Sequence, residues 1–183
     1  MHEVIGHASG QLEERLEGNP QAFLREQYSA LEEGRADLIA LYFIAAPMLV
    51  ELGLVPAESH AEIVRTQYES YTRNAILQLR RVREGSQLEQ DHMRNRQMVV
   101  HWLMDNTDAI DTRQREGKTF YVMTDWRKFR DGVGRLLAEV QRIKSEGDYD
   151  AARELFEIHG IHFEPALRDE VVERVAQVNV PSY

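Results

Sequence analysis

The run Tyr28-Ser29-Ala30-Leu31-Glu32-Glu33-Gly34-Arg35-Ala36-Asp37-Leu38-Ile39-Ala40-Leu41-Tyr42 decides the fold. Phe23, Tyr28, Leu31, Leu38, Leu41 and Tyr42 recur at helical spacing, and Asn19-Pro20 supplies a cap and a first-turn residue. The pattern predicts a helix over 20–46 that carries an acidic cluster.

Outward from this helix the pattern stays helical. Pro47 lies in a short helical stretch that ends near Gly53. Pro56 opens a long one, with Ile63, Tyr68, Tyr71, Ile76, Leu77 and Leu79 at core-like intervals, which stops at Gly85. Residues 87–105 repeat the pattern through Leu88, Val99, Trp102 and Leu103, with Ser86 as the expected cap. Between Asp108 and Thr124 it changes: Thr112-Arg113-Gln114-Arg115 and Thr119-Phe120-Tyr121-Val122-Met123 flank Glu116-Gly117, so β-branched and aromatic residues surround a turn. Helices resume after Asp125, through Phe129, Val133, Leu136, Leu137, Val140 and Ile143, and then over about 149–158 and 165–177. The expected fold class is mainly α: a helical bundle-like single domain over 1–183, with one small β-hairpin near 112–123.

Composition narrows the chemistry. At 183 residues the chain is long enough to bury roughly two-thirds of its unfolded surface and fold without staples. It has no cysteine, so disulfides and thiolate metal sites are excluded and any metal must be held by nitrogen and oxygen. A net charge of -9 argues against nucleic acid or an anionic membrane as partner. No apolar run reaches the eighteen or so residues of a bilayer span, and no signal-like segment follows Met1, so a cytoplasmic location is expected.

The segment with ligand-bearing chemistry is Met1-His2-Glu3-Val4-Ile5-Gly6-His7. Two imidazoles bracketing a carboxylate, with the acidic cluster thirty residues on, supply the parts of a zinc site with two His and one Glu ligand and a fourth position for water. The spacing is unusual. Five residues turn an ideal helix by about 500°, which throws the second ring about 140° off the first. Both face one metal only if the helix widens locally, as in a π-type turn, and Gly6 is the residue best able to accept that backbone. Glu3, beside the first imidazole, then points next to the metal and suits general base and acid work. Glu33 and Asp37 are four apart on one face, so one carboxylate can bind metal while neighbours orient the imidazoles through their second nitrogens. Read alone, the same residues also describe a solvated helix face.

His2-Glu3-Val4-Ile5-Gly6-His7 resembles the H-E-x-x-G-H motif of dipeptidyl peptidase III, and Glu32-Glu33-Gly34-Arg35-Ala36-Asp37 resembles that family's E-E-x-R-A-[ED] motif. Asp91-His92-Met93-Arg94-Asn95-Arg96 is similar to a downstream family stretch with a His and, four residues on, an Arg. With 71–74 and 142–149, the likeness to bacterial members runs along the whole chain.

The resemblance implies zinc as cofactor, with His2, His7 and Glu33 as its ligands, Glu3 activating the water, and Glu32 and Asp37 as carboxylate partners of the two His. His92 and Arg96 would act at the scissile peptide, supporting the developing oxyanion. The implied reaction is release of an N-terminal dipeptide from a peptide substrate. The remaining His60, His101, His159 and His162 read as structural. The resemblance covers only the part of a two-lobe metallopeptidase from its zinc helix onward, so the chain is expected to be a fragment of the zinc-binding lobe, with weak or absent activity by itself and a first turn prone to fray. Two other readings stand beside it. One is a non-catalytic helical module that associates, as a homo-oligomer, through the face left by the missing lobe; the other is a zinc hydrolase of non-peptide substrates.

Overall fold

The computed structural model describes residues 1–178; the last five residues of the expected 1–183 domain lie outside the described residues. The described residues form eight α-helices, α1 (Pro20–Leu24), α2 (Tyr28–Ile44), α3 (Met48–Glu51), α4 (Ala57–Leu77), α5 (Asp91–Asn106), α6 (Trp126–Glu146), α7 (Tyr149–His159) and α8 (Pro165–Ala176), with one antiparallel hairpin, β1 (Ile110–Arg115) and β2 (Lys118–Met123). A π turn, His2–Gly6, precedes them.

Helix α2 is the centre. It buries Leu31, Leu38, Ile39 and Leu41 together with the small residues Ala30, Gly34 and Ala36, which let α5, α6 and the π turn approach closely. Against it lies α6, the clearest amphipathic element, whose Phe129, Val133, Leu136, Val140 and Ile143 fall three or four apart and are all within 1% of full burial. Tyr68 of α4 stacks on Phe129 at 4.3 Å between ring centroids and donates its hydroxyl to the Leu41 carbonyl at 2.9 Å, so a buried phenol loses no hydrogen bond. A smaller cluster of Leu79, Leu88, Met93 and Phe163 seats α8 and the 161–163 segment on the far end of α4.

The hairpin pairs Ile110 with Met123 through Arg115 with Lys118. Its two-residue turn, Glu116-Gly117, has positive φ at both positions (53° and 71°), the geometry that matches strand twist in tight hairpins.

Three boundaries differ from the sequence pattern. The helix expected over 20–46 is broken at Arg25, whose φ of 52° ends α1, and a 3₁₀ turn over Arg25–Gln27 leads into α2. The helix expected from 87 starts at Asp91 instead. Leu88 donates to the Ile161 carbonyl at 2.8 Å and the Ser86 carbonyl accepts from Phe163 at 3.0 Å, so tertiary pairing takes the backbone that a cap would use. The long helix from Pro56 ends at Leu77 and tightens to a 3₁₀ turn over Gln78–Arg81, short of Gly85.

Candidate metal centre

The π turn is the local feature that aims the two imidazoles. His7 donates its backbone N–H to the His2 carbonyl at 3.2 Å, and Gly6 to the Met1 carbonyl at 2.9 Å, the i to i+5 pattern that a five-residue spacing needs. Gly6 is needed less for backbone freedom than for space. A Cβ there would lie 2.8 Å from Ala36 Cβ and 2.9 Å from Ala36 Cα, so the missing side chain lets the turn sit directly on α2.

Three atoms converge on the resulting face. His2 Nε2 is 3.2 Å from His7 Nε2 and 3.2 Å from Glu33 Oε2, and His7 Nε2 is 3.9 Å from that oxygen. Ligand atoms tetrahedrally arranged at Zn–N and Zn–O lengths lie about 3.3 Å apart, so the spacing fits such an ion. The outer faces of the rings are occupied. His2 Nδ1 is 2.9 Å from Asp37 Oδ1, and His7 Nδ1 is 3.2 Å from Glu32 Oε1. Carboxylates only accept, so each Nδ1 carries the proton and each Nε2 presents a lone pair. Two imidazole lone pairs and a carboxylate oxygen therefore face one another. Glu33 Oε2 is buried and has no hydrogen-bond donor among the described residues. Such a set is repulsive unless a cation lies within it, and nitrogen and oxygen donors of this number suit zinc.

Behind these residues stand partners that the sequence pattern did not single out. Arg35, fully buried, donates to the Gly6 carbonyl at 2.6 Å, to the His7 carbonyl at 3.3 Å and to both oxygens of Glu32. It ties the C-terminal end of the π turn to α2. Lys144, from the last turn of α6, places Nζ 2.7 Å from Glu32 Oε2. Burial works to raise the Glu32 carboxyl, but the hydrogen bonds from Arg35 and Lys144 outweigh it and bring it down to about 2. Glu32 is thus an anion fixed on His7. On the other side Tyr71 donates its hydroxyl to Asp37 Oδ2 at 2.9 Å. Burial and the Asp37 charge push this phenol well above its ordinary range, so it remains a donor.

Of the other expected site residues, Glu3 is exposed beside His2. His92, in the first turn of α5, brings Nδ1 to 3.4 Å from Glu33 Oε2 without hydrogen bonding to it, and most of its ring stays in solvent. Arg96 stands a turn further along α5. It donates to Gln78 Oε1 at 3.0 Å and lies over the Tyr71 ring, 6.0 Å from its centroid. Helical spacing alone marks Tyr71 as core and Lys144 as a helix end; only their tertiary neighbours reveal that both brace the imidazole-bearing carboxylates.

Residues 15–174 match peptidase family M49. The chain belongs to peptidase family M49. The match includes Glu32, Glu33, Asp37, His92 and Arg96, and the His2–His7 turn lies just before it. Among solved structures, dipeptidyl peptidase III from Caldithrix abyssi is 23% identical with a TM-score of 0.60 over 85% of this chain, and that from Corallococcus sp. strain EGB is 20% identical with a TM-score of 0.60 over 86%. Both likenesses are of fold. The chain spans about a quarter of each, 26% of their length. No curated protein matches. Family M49 peptidases are zinc-dependent and act on peptides. No helix among the described residues is long and apolar enough to cross a membrane.

Proposed function

We propose that this chain carries the metal-binding helices of a zinc-dependent dipeptidyl peptidase, the zinc-binding lobe portion of a longer enzyme that releases dipeptides from peptide N-termini. The observation that carries this reading is the convergence of His2 Nε2, His7 Nε2 and Glu33 Oε2, with each ring proton already given to a carboxylate.

On this reading His2, His7 and Glu33 hold the ion, and Asp37 and Glu32 fix the two rings in the tautomer that offers Nε2. A zinc ion held there supplies Lewis-acid polarisation of the scissile carbonyl and lowers the pKa of water. Glu3, exposed next to His2, takes the proton of the attacking water and returns it to the leaving amine. His92 Nδ1, on the solvent side of Glu33, donates to the negative charge that develops on the carbonyl oxygen. Arg96, one turn past His92 on the same face of α5, meets the substrate beyond the scissile bond.

Elemental analysis of the purified chain beside Glu33→Ala and His7→Ala variants tests the metal assignment. Near-stoichiometric zinc that falls in both variants supports it, and a parent chain that takes up no zinc from a micromolar supply overturns it. A Glu3→Gln variant of the longer enzyme that keeps its zinc yet loses dipeptide release supports the proton-transfer role; unchanged release rejects it.

A second reading is favoured by a different observation. Leu54, 67% exposed, lines an apolar groove together with Leu41, Ile44, Leu49 and Ile63. A helical module would bury this face against another copy. Sedimentation of the chain discriminates: a concentration-dependent dimer supports association, and a monomer at 100 µM (about the top of the weak-complex range) removes it.

A further inference from the structure

Beyond the candidate metal centre, the 3₁₀ turn that follows α4 meets α5 at a small pocket of ≈ 170 Å³, lined by Asn74, Leu77, Gln78, Arg80, Arg81 and Arg96. Three of its six lining residues are arginines and none is acidic, in a chain of net charge -9. Arg15, Arg35, Arg142 and Arg174 pair with carboxylates, whereas among the described residues no ion pair involves Arg80, Arg81 or Arg96, and these three guanidiniums line one concavity. Three like charges crowded round one concavity repel one another, and an anion within it relieves that repulsion.

The pocket is also held in shape. Gln78, 6% exposed, donates its amide nitrogen to the Met93 carbonyl at 3.0 Å, which turns Oε1 toward Arg96 to accept from Nη1 at 3.0 Å. With the Tyr71 ring beneath it, the Arg96 guanidinium is fixed while its Nε and Nη2 have no partner among the described residues. A planar donor fork held in place suits a carboxylate, which it meets with two parallel hydrogen bonds.

Its position says which carboxylate. Arg96 lies one helical turn past His92 on the same face of α5, and His92 Nδ1 is 3.4 Å from Glu33 Oε2. A turn advances about 5.4 Å and an extended peptide about 3.4 Å per residue, so a peptide running along α5 from the metal centre brings its second or third residue beyond His92 to the guanidiniums. We propose that Arg80, Arg81 and Arg96 form a recognition pocket for the free C-terminal carboxylate of a short peptide, two or three residues past the bond to be cleaved. This inference rests on the peptidase reading for its substrate class. It makes the site a reader of peptide length, because only short peptides place a carboxylate there.

The test is a binding measurement that needs neither metal nor turnover. The ¹⁵N-labelled metal-free chain is titrated with N-acetyl-trialanine carrying either a free carboxylate or a C-terminal amide, and the arginine Nε–H resonances are followed. The carboxylate form is expected to move the Arg80, Arg81 and Arg96 signals to saturation, with about tenfold or greater loss of affinity for the amide. The double variant R80Q/R81Q is expected to weaken carboxylate binding by a similar factor, whereas R113Q, on the hairpin, leaves it unchanged. Equal response to carboxylate and amide overturns the proposal, as does carboxylate binding that survives R80Q/R81Q. Inorganic phosphate matching the peptide at equal concentration also overturns it, since the pocket is then a general anion site. The carboxylate and amide comparison uses the unaltered chain, so it decides even where a variant folds poorly. Absence of zinc in the elemental analysis removes the metal reading and leaves this binding result standing, so the two failures are distinguishable.

Discussion

Lys144 Nζ lies 2.7 Å from Glu32 Oε2, although the two residues come from different helices and Lys144 is only 8% exposed. An ammonium buried to that degree costs desolvation, and burial indeed holds Lys144 below its ordinary lysine range despite the raising effect of Glu32. The cost is matched by what the contact does. With Arg35 on its other side, Glu32 is clamped as an anion in the position where Oε1 meets His7 Nδ1.

Replacing Lys144 by Met should therefore act on metal affinity more than on fold. Arg35 still holds Glu32 by two hydrogen bonds, but the carboxylate gains freedom to rotate and His7 loses part of its orientation. Loss of such an outer partner typically weakens metal binding about 10–100-fold. Competition against a chromophoric chelator should show a fall of about tenfold in zinc affinity, with far-UV circular dichroism unchanged. Zinc affinity equal to that of the parent chain would show that Lys144 only fills space.

Arg35→Met should do the reverse and damage the fold first. The guanidinium satisfies the Gly6 and His7 carbonyls and pairs with Glu32, and its removal leaves Glu32 and Lys144 buried with fewer partners. Breaking a buried pair from one side costs about 3–5 kcal/mol. Urea denaturation should show a loss of that order, and the variant should bind no zinc even under conditions where it stays folded. A loss below 1 kcal/mol (about the worth of an exposed pair) would contradict this account.

Gly6→Ala tests the close packing of the π turn. The added methyl would sit 2.8 Å from Ala36 Cβ and 2.9 Å from Ala36 Cα. Because the second of these atoms belongs to the α2 backbone, no side-chain rotation relieves the clash, and overpacking of this kind costs about 1–3 kcal/mol. The turn is the easier part to move, so the two imidazoles shift away from Glu33. The expected outcome is a large drop in bound zinc with a modest drop in stability. Adding Ala36→Gly should recover only part of the zinc, since the methyl still meets the α2 backbone. Full recovery would show that the two methyl groups alone were in conflict.

How much of this was legible in the sequence follows from which interactions are local. Helical spacing marks every long helix because each one's apolar stripe repeats within its own residues, as Phe129 to Ile143 do. The Glu116-Gly117 turn is equally local, being set by two backbone angles. The five-residue separation of His2 and His7 by itself points to a π turn. The misplaced boundaries at Ser86 and Leu88 have a non-local cause. Both residues pair with partners more than seventy positions later, and nothing between them announces it. The same holds at the site. Glu32, Glu33 and Asp37 advertise themselves as a cluster, but Tyr71 and Lys144 reach them from α4 and α6, and their spacing encodes only the helices they belong to. Arg35 lies within the cluster, yet composition makes it a solvated charge; its complete burial follows from the π turn packing over it.

The acid limb of stability should be governed by histidines remote from the metal centre. Burial brings His101 down to about 4, against a raising effect of Asp105, with nearby His159 lowering it further; burial also lowers His159 itself, although Asp105 opposes this. Each stays neutral in the folded chain over a range where the unfolded chain takes up a proton near pH 6.5, about the ordinary histidine value. Protons then bind preferentially to the unfolded state. Stability is fully present above pH 6.5 and falls as the pH drops, for His101 until about pH 4 is reached, where the folded protein also protonates. The His101 share alone is of order 3 kcal/mol, at about 1.4 kcal/mol per pH unit. Glu32 enters only at the acid end of that window, since its carboxyl is held near 2 and its contribution is lost as the pH falls below about 4.5. Urea unfolding of the metal-free chain at pH 7, 6, 5 and 4.5 should thus show a steady loss, and His101→Gln should flatten the slope while lowering stability at pH 7. A parent chain equally stable at pH 7 and pH 5 would mean that His101 accepts a proton without unfolding. Asp105 would then have to compensate the new charge, although its side chain is 63% exposed and its field is largely screened by solvent.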